Sequence, residues 1–484
     1  MYPQWGKIPL AGEWRRGSSE FHYENRNPYT NELIIRMSLA NKMDINQAFI
    51  VADRVQKEWN RTSPERKRDV LLAAIRLFEE RKDELVNLLI EESGSTRQKA
   101  NLEVDMAVRY IHEASTFPLM MKKEQLASII PNKKNYITRS AVGVVSVITP
   151  WNFPFNLAIR SVAPALAAGN AVILKPDNQT AITGGSFISK VFEDAGAPKG
   201  LISVIVADLA EIGDLLVEHS IPQVISFTGS SKAGKHIASV AGRLLKKATL
   251  ELGGNNAMVV LEDADLNQAV AAAIIGKFLH QGQICMSINR IIVDKKVVRE
   301  FVEKFTASVR KLKVGDPKDN ETNIGPMINE HQVKKVKHLI NKSIDEGAAV
   351  IVEGSVEGNT MSPWVLTNVT NQMSIAKEEI FGPVAIILEA NGEDDAMHLV
   401  NDTPYGLVGA VFTKDIERGM AFAENIQCGM FHINDMTINS EPFVPFGGEK
   451  DSGLGRHGGT WSIDEFTSVK WVSIQKEDRK YLFP

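Results

Sequence analysis

The sequence predicts an α/β fold built on a largely parallel sheet with helices on both faces, and three observations predict it. From Gly143 onward, short and wholly apolar runs alternate with helical segments, as in Val144-Val145-Ser146-Val147-Ile148 and Ala171-Val172-Ile173-Leu174. Runs that are apolar throughout are buried on both faces, the pattern of parallel strands joined by covering helices. The alternation restarts beyond residue 254, and a chain of 484 residues exceeds one compact core, so two or three domains are expected.

In chain order, the first forty residues hold turn-punctuated strand candidates, Gly12-Glu13-Trp14 and Glu32-Leu33-Ile34-Ile35. Ser63-Pro64-Glu65 starts a helix with a capping hydroxyl and an early proline; Val70, Leu71, Ala74, Leu77 and Phe78 share one face of it. Asp83 opens another helix, which Ser93-Gly94 closes. After the strand at 144–148, residues near 156–168 make a helix closed by Gly169-Asn170, and residues near 180–195 make one closed by Gly196. Residues 201–206 and 224–227 are two further strands with a short helix between them. A strand at 257–260 and a helix near 265–280 open the second region, and Cys285 follows that helix. The glycines of Pro445-Phe446-Gly447-Gly448 mark either a close-fitting loop or an ordinary turn.

Composition narrows the class. With 44% hydrophobic and 24% charged residues, the chain reads as soluble and globular. A net charge of −4 offers no basic surface to a nucleic acid. Two cysteines make no disulfide framework and suit a reducing cytoplasm. Met1-Tyr2-Pro3-Gln4-Trp5 lacks a signal pattern, and no apolar run reaches the roughly 18–20 residues of a membrane span. No metal site and no membrane partner are expected.

The residues with chemistry to offer stand where strands end, which is where ligands bind in open parallel sheets. These ends carry Thr149-Pro150-Trp151-Asn152-Phe153-Pro154, Lys175-Pro176-Asp177-Asn178 and Thr228-Gly229-Ser230-Ser231-Lys232. A glycine turn leading into a helix presents N–H groups and a positive dipole end to a phosphate. Its spacing is not G-x-G-x-x-G, however, and a plain helix start reads the same. Lys175 alone reads equally as a surface lysine. Cys285, in His280-Gln281-Gly282-Gln283-Ile284-Cys285-Met286, is a nucleophile if it ionises and an inert packing group if it does not. Glu251, in Glu251-Leu252-Gly253-Gly254, is a lone carboxylate beside two glycines.

Six motifs in fixed order resemble the aldehyde dehydrogenase superfamily over essentially the whole chain. They are Pro150-Trp151-Asn152-Phe153-Pro154, Phe227-Thr228-Gly229-Ser230, Glu251-Leu252-Gly253-Gly254, Gly282-Gln283-Ile284-Cys285, Glu379-Ile380-Phe381-Gly382-Pro383 and Pro445-Phe446-Gly447-Gly448. The wording around Cys285 and Glu251 is most similar to the aromatic members, which act on benzaldehyde, vanillin or salicylaldehyde. The resemblance implies an aldehyde dehydrogenase fold with a Rossmann-like NAD(P)-binding domain at 1–117 and 140–252 and a catalytic domain at 253–463. Residues 118–139 and 464–484 would form an oligomerisation element, giving a homodimer or homotetramer.

It further implies that Cys285 adds to the aldehyde, that the Asn152 amide and the Cys285 N–H hold the oxyanion, and that Glu251 activates water to hydrolyse the thioester. For NAD or NADP it places Lys175 and the Asn178 position at the adenosine ribose, with Trp151 on the adenosine side and Thr149 among the contacts. Ser230 and the helix after Gly229 take the pyrophosphate, Thr228 lies near the nicotinamide, Glu379 bonds its ribose and Phe381 packs beside it. Phe153 and Phe446, with Phe443, read as an aromatic substrate pocket or as core. Cys428 reads as packing, and Arg160 as half of an ion pair.

Two departures stand out. Asn178 replaces a glutamate that many NAD-dependent members use on the ribose 2′-hydroxyl, which predicts that NADP is accepted. His457 replaces a glutamate after the arginine of Gly455-Arg456-His457, and reads as a proton relay or as a structural ring. A CoA-acylating enzyme would lack Glu251. An aliphatic aldehyde or semialdehyde member, a thiol hydrolase and a silent binding protein are the other readings.

Overall fold

The structure, a computed structural model, describes residues 5–483. Its first sheet orders five parallel strands Lys247–Glu251, Val224–Thr228, Val144–Ile148, Ala171–Lys175 and Ile202–Val204, with Gly453–Leu454 antiparallel on the outer edge. Every residue of Ala171–Lys175 and Val224–Thr228 is buried, as wholly apolar runs require when helices cover both faces. Chain order along the sheet reverses between Val144–Ile148 and Val224–Thr228, and the crevice at such a reversal is the usual ligand site. The helix Pro154–Ala167, largely apolar and buried throughout, begins at that crevice.

The second sheet has seven strands, ordered Ala349–Val352, Trp364–Thr367, Val384–Ala390, Ile288–Asp294, Asn256–Val260, Val408–Phe412 and Met430–Ile433. Only the first pair is antiparallel. At its centre the fully buried Arg290 donates to Asn371 Oδ1 and to the carbonyls of Leu399, Asn255 and Val400. A third, antiparallel sheet joins Thr467–Gln475, Lys133–Ala141 and Glu124–Leu126. Among the described residues, no helix is long and apolar enough to cross a membrane.

Three local differences from the sequence reading have physical causes. The helix expected near 180–195 begins with a π turn, Ile182–Ser186, before Phe187–Asp194. Gly185 lets that turn approach the sheet, since a Cβ there would stand 2.8 Å from Val204 Cγ1. Buried Glu92 accepts the turn's leading N–H groups, from Ile182 at 3.1 Å and Thr183 at 2.8 Å. The strand expected over 201–206 shortens to Ile202–Val204. Strand Lys247–Glu251, which begins with a lysine, was absent from the sequence reading, and its pairing with Gly453–Leu454 brings the loop at 445–456 over Glu251.

Candidate active site

Strand Val144–Ile148 ends at Thr149, and the chain turns through Trp151, Asn152 and Phe153 into the helix Pro154–Ala167. Phe153, at the N-cap, supplies no side-chain cap. The orphan N–H groups of Phe155 and Asn156 go to Glu103 Oε1, at 2.9 and 3.2 Å. Glu103 belongs to the helix Arg97–Ala114 and pairs with Lys99 at 2.5 Å, both side chains fully buried. Lys99 Nζ also donates to Ser95 Oγ at 2.9 Å and to the Asn152 carbonyl at 2.7 Å. The Asn152 amide donates to Gln283 O at 2.9 Å, tying this turn to the cysteine loop.

That loop is held against local preference. His280, Gln281 and Gly282 have φ of 51°, 59° and 71°, a left-handed run that costs on the order of 1–3 kcal/mol per non-glycine residue. Gln281 Nε2 donates to Pro326 O at 2.6 Å, Ile328 N donates to Gln283 Oε1 at 3.0 Å, and Asn256 Nδ2 donates to Cys285 O at 2.7 Å. Burial pushes the half-buried Cys285 thiol up to about 12; the Glu379 and Glu251 charges add to this, while Arg160 and the Met286 N–H oppose it. Such a thiol needs a base at the moment it reacts.

Glu251 ends its strand 3% exposed, with Oε1 unpartnered. Burial pushes its carboxyl up to about 8; Arg160 and Arg456 oppose this, and Glu465 adds to it. The loop above it is a close fit rather than an ordinary turn. A Cβ on Gly447 would lie 3.0 Å from Glu251 Oε1, and one on Gly429 only 1.8 Å from Gly447 O.

A cavity of about 180 Å³ is lined by Cys285 and Asn152, by Trp151 and Phe381, and by Thr228, Gly229, Ser230 and Glu379. Trp151 and Phe381 meet edge to face at 5.6 Å. Ser230 Oγ accepts Ala233 N–H as the cap of helix Ser231–Arg243, which leaves its own O–H free to donate. Glu379 Oε1 accepts Gly254 N–H at 3.0 Å, and burial pushes this carboxyl up to about 7 against the charges of Lys335 and Lys277. Lys175 and Asn178 line a different cavity, of about 500 Å³, with Asp177 and Ala207. Burial lowers the Lys175 ammonium, opposed by Asp177. Asn178 Nδ2 donates to Ala207 O at 3.0 Å, while Asn178 Oδ1 and the Thr149 hydroxyl are buried without partners.

Phe153 and Phe446 pack in one apolar cluster with Cys285 against its rim. Phe443 is 56% exposed and lies outside that cluster. Arg160 makes no ion pair among the described residues, contrary to expectation. It is 3% exposed, its guanidinium lies 4.3 Å over the Phe446 ring, Nη2 reaches Thr228 Oγ1 only at 3.5 Å and Nε has no partner. His457 is fully buried with both ring nitrogens unpartnered, and burial with nearby Arg160 drives its pKa well below 6.5. A ring held in this way stays uncharged near neutral pH. Cys428 Sγ donates to Met430 O at 2.9 Å, a packing contact. Among the described residues no cluster of three or more ligating side chains could hold a metal.

Lys99, Glu103 and Asn256 escaped the sequence reading. Lys99 and Glu103, four apart on a helix, look like a surface ion pair. The signal was their register: they continue the stripe Ala107, Ile111 and Ala114 that the helix buries.

Comparison with known proteins identifies the family. The profile of the aldehyde dehydrogenase family matches residues 14–472. A benzaldehyde dehydrogenase of Bacillus subtilis is 48% identical over 99% of both chains. A vanillin dehydrogenase of Corynebacterium glutamicum is 47% identical over 96% of this chain and 97% of its own. The solved structure of an NAD-dependent benzaldehyde dehydrogenase from Corynebacterium glutamicum superposes with a TM-score of 0.90 at 43% identity, covering 99% of this chain and 98% of that one. That of a succinate-semialdehyde dehydrogenase from Burkholderia pseudomallei gives 0.94 at 33%, covering 97% and 98%. The chain belongs to the aldehyde dehydrogenase family.

Proposed function

We propose that this protein oxidises an aromatic aldehyde to the carboxylic acid with NAD or NADP, and that it hydrolyses its own thioester rather than passing the acyl group to CoA. One observation carries the reading: Cys285 and the Asn152 amide line one cavity, and the buried carboxylate of Glu251, with a free oxygen, lies close enough to act on the thiol's charge. Cys285 adds to the carbonyl carbon, its proton passing to Glu251. The Asn152 amide and the Cys285 N–H hold the resulting oxyanion, and losing one such donor costs about 10²–10³ in rate. Once hydride has left the thiohemiacetal and Glu251 has released the thiol's proton to solvent, its carboxylate takes a proton from the water that attacks the thioester. A CoA-acylating enzyme would not need that carboxylate.

The residues present fit a nicotinamide dinucleotide, which when bound accepts the hydride. Lys175 and the orphaned Asn178 Oδ1 and Thr149 hydroxyl suit the adenosine ribose, and the free Ser230 O–H at a helix N-terminus suits a phosphate. Thr228, Glu379 and Phe381, beside Cys285, suit the nicotinamide end, with Trp151 against Phe381. Asn178 puts no negative charge where NADP carries its 2′-phosphate, so NADP is accepted beside NAD.

Phe153 and Phe446 beside Cys285 favour an aromatic substrate, in line with the benzaldehyde and vanillin dehydrogenases that the chain resembles. A semialdehyde is the second reading, favoured by the buried, unpaired guanidinium of Arg160, which matches a carboxylate. The exposed Val469 and Trp471 on the three-stranded sheet support pairing into a homodimer or homotetramer. Two free cysteines suit the cytoplasm. The test is kcat/KM with both cofactors for benzaldehyde, vanillin, succinic semialdehyde and betaine aldehyde. Preference for either of the last two would overturn the aromatic assignment.

A further inference from the structure

We propose that the buried Lys99–Glu103 pair is a positioning device for the oxyanion donor, setting Asn152 against Cys285, so that turnover and not only folding depends on Lys99. The inference rests on the reading of Asn152 as that donor. An ion pair this deep is not explained by stability, because apolar side chains of similar volume commonly serve a core as well. What the pair does that apolar side chains cannot is hold backbone. Each of the three Lys99 donors has an acceptor, Glu103 Oε2 at 2.5 Å, Asn152 O at 2.7 Å and Ser95 Oγ at 2.9 Å. The second of these is the main chain of the donor residue itself.

The rest of the geometry points the same way. Lys99 Nζ lies 4.0 Å over the ring of Phe153, whose edge meets His280 of the cysteine loop at 5.8 Å. Glu103 Oε1 holds the first N–H groups of the helix that follows Asn152. Asn152 is thus gripped twice, by its carbonyl from Lys99 and by its amide from Gln283, two residues before Cys285. Releasing the first grip lets the amide drift while the second still tethers it. A displacement near 1 Å at a reacting centre costs about 10²-fold in rate.

The experiment is a double-mutant cycle on the full chain with benzaldehyde and NAD, reading kcat, KM and the thermal midpoint. Lys99→Met is expected to lower kcat about 10²-fold with KM within a factor of about three, and Lys99→Arg to restore most of the loss. In an Asn152→Ala background, Lys99→Met is expected to change kcat less than about threefold, because the group it positions is gone. If Lys99→Met does not fold, Lys99→Met/Glu103→Gln, which removes both charges and keeps the helix-capping acceptor, takes its place in the cycle. A folded variant with unchanged kcat, or an equal loss in both backgrounds, overturns the proposal. Unchanged kcat in Asn152→Ala alone would instead overturn the assignment of Asn152, and this inference with it.

Discussion

In the proposed role of base, Glu251 acts only after giving up a proton that the fold makes it keep. Burial lifts its carboxyl from 4.5 to about 8, against the pull of Arg160 and Arg456. About a tenth of the molecules are then ionised at pH 7, half at pH 8 and nine-tenths at pH 9, so thioester hydrolysis accelerates roughly tenfold between pH 7 and 9. Two substitutions should move this limb in opposite directions. Arg456→Gln removes a cation that favours the charged form, and the limb moves to higher pH. Glu465→Gln removes a repelling charge while keeping an acceptor for Thr249 Oγ1, and the limb moves to lower pH. Single-turnover decay of the acyl-enzyme over pH 6–10 measures it. A limb that survives in Glu251→Gln, or that moves the same way in both variants, would refute the reasoning. Stability supplies an independent check. A carboxyl whose folded value is raised contributes stability that is full below about 4.5 and lost as pH rises towards about 8. Glu251→Gln should therefore gain in thermal midpoint relative to the parent protein across that window.

Other outcomes follow from single contacts. In Gly447→Ala the new Cβ would stand 2.7 Å from Arg456 Cδ and 3.0 Å from Glu251 Oε1, so kcat should fall about tenfold or more while circular dichroism stays native. Asn178→Glu places a carboxylate where the 2′-phosphate is proposed to lie, and kcat/KM for NADP should fall roughly 10–100-fold with that for NAD little changed. Arg290→Met strands the buried acceptors on Asn371, Leu399, Asn255 and Val400, and urea unfolding should show a loss of about 3–5 kcal/mol.

The parallel sheets were legible because a strand buried on both faces must be apolar along its length, and Val144–Ile148, Ala171–Lys175 and Val224–Thr228 nearly are. The strand Lys247–Glu251 was not, since its lysine end is exposed and its edge partner Gly453–Leu454 is two residues long. Arg160, one helical turn from Asn156, reads from its spacing alone as half of an ion pair. Here the helix is buried on every side, and the guanidinium meets the face of Phe446 instead. Lys99 and Glu103 passed unnoticed because an i,i+4 spacing says nothing of what lies outside the helix.

By itself, then, the sequence determined the alternation of strand and helix, the placing of Asn152 and Gly229 at strand ends, and the chemical kinds of group available there. These follow from local periodicity and from short motifs, which neighbours along the chain express. Only the tertiary structure decided that Glu251 is buried under the loop of Gly447, that the carbonyl of Asn152 is held by Lys99, and that, among the described residues, Arg160 Nε and the His457 ring nitrogens have no hydrogen-bond partner. Desolvation and hydrogen bonding depend on what surrounds a group in space, and these groups are met by residues remote along the chain, Asn152 by Lys99 and Arg160 by Phe446.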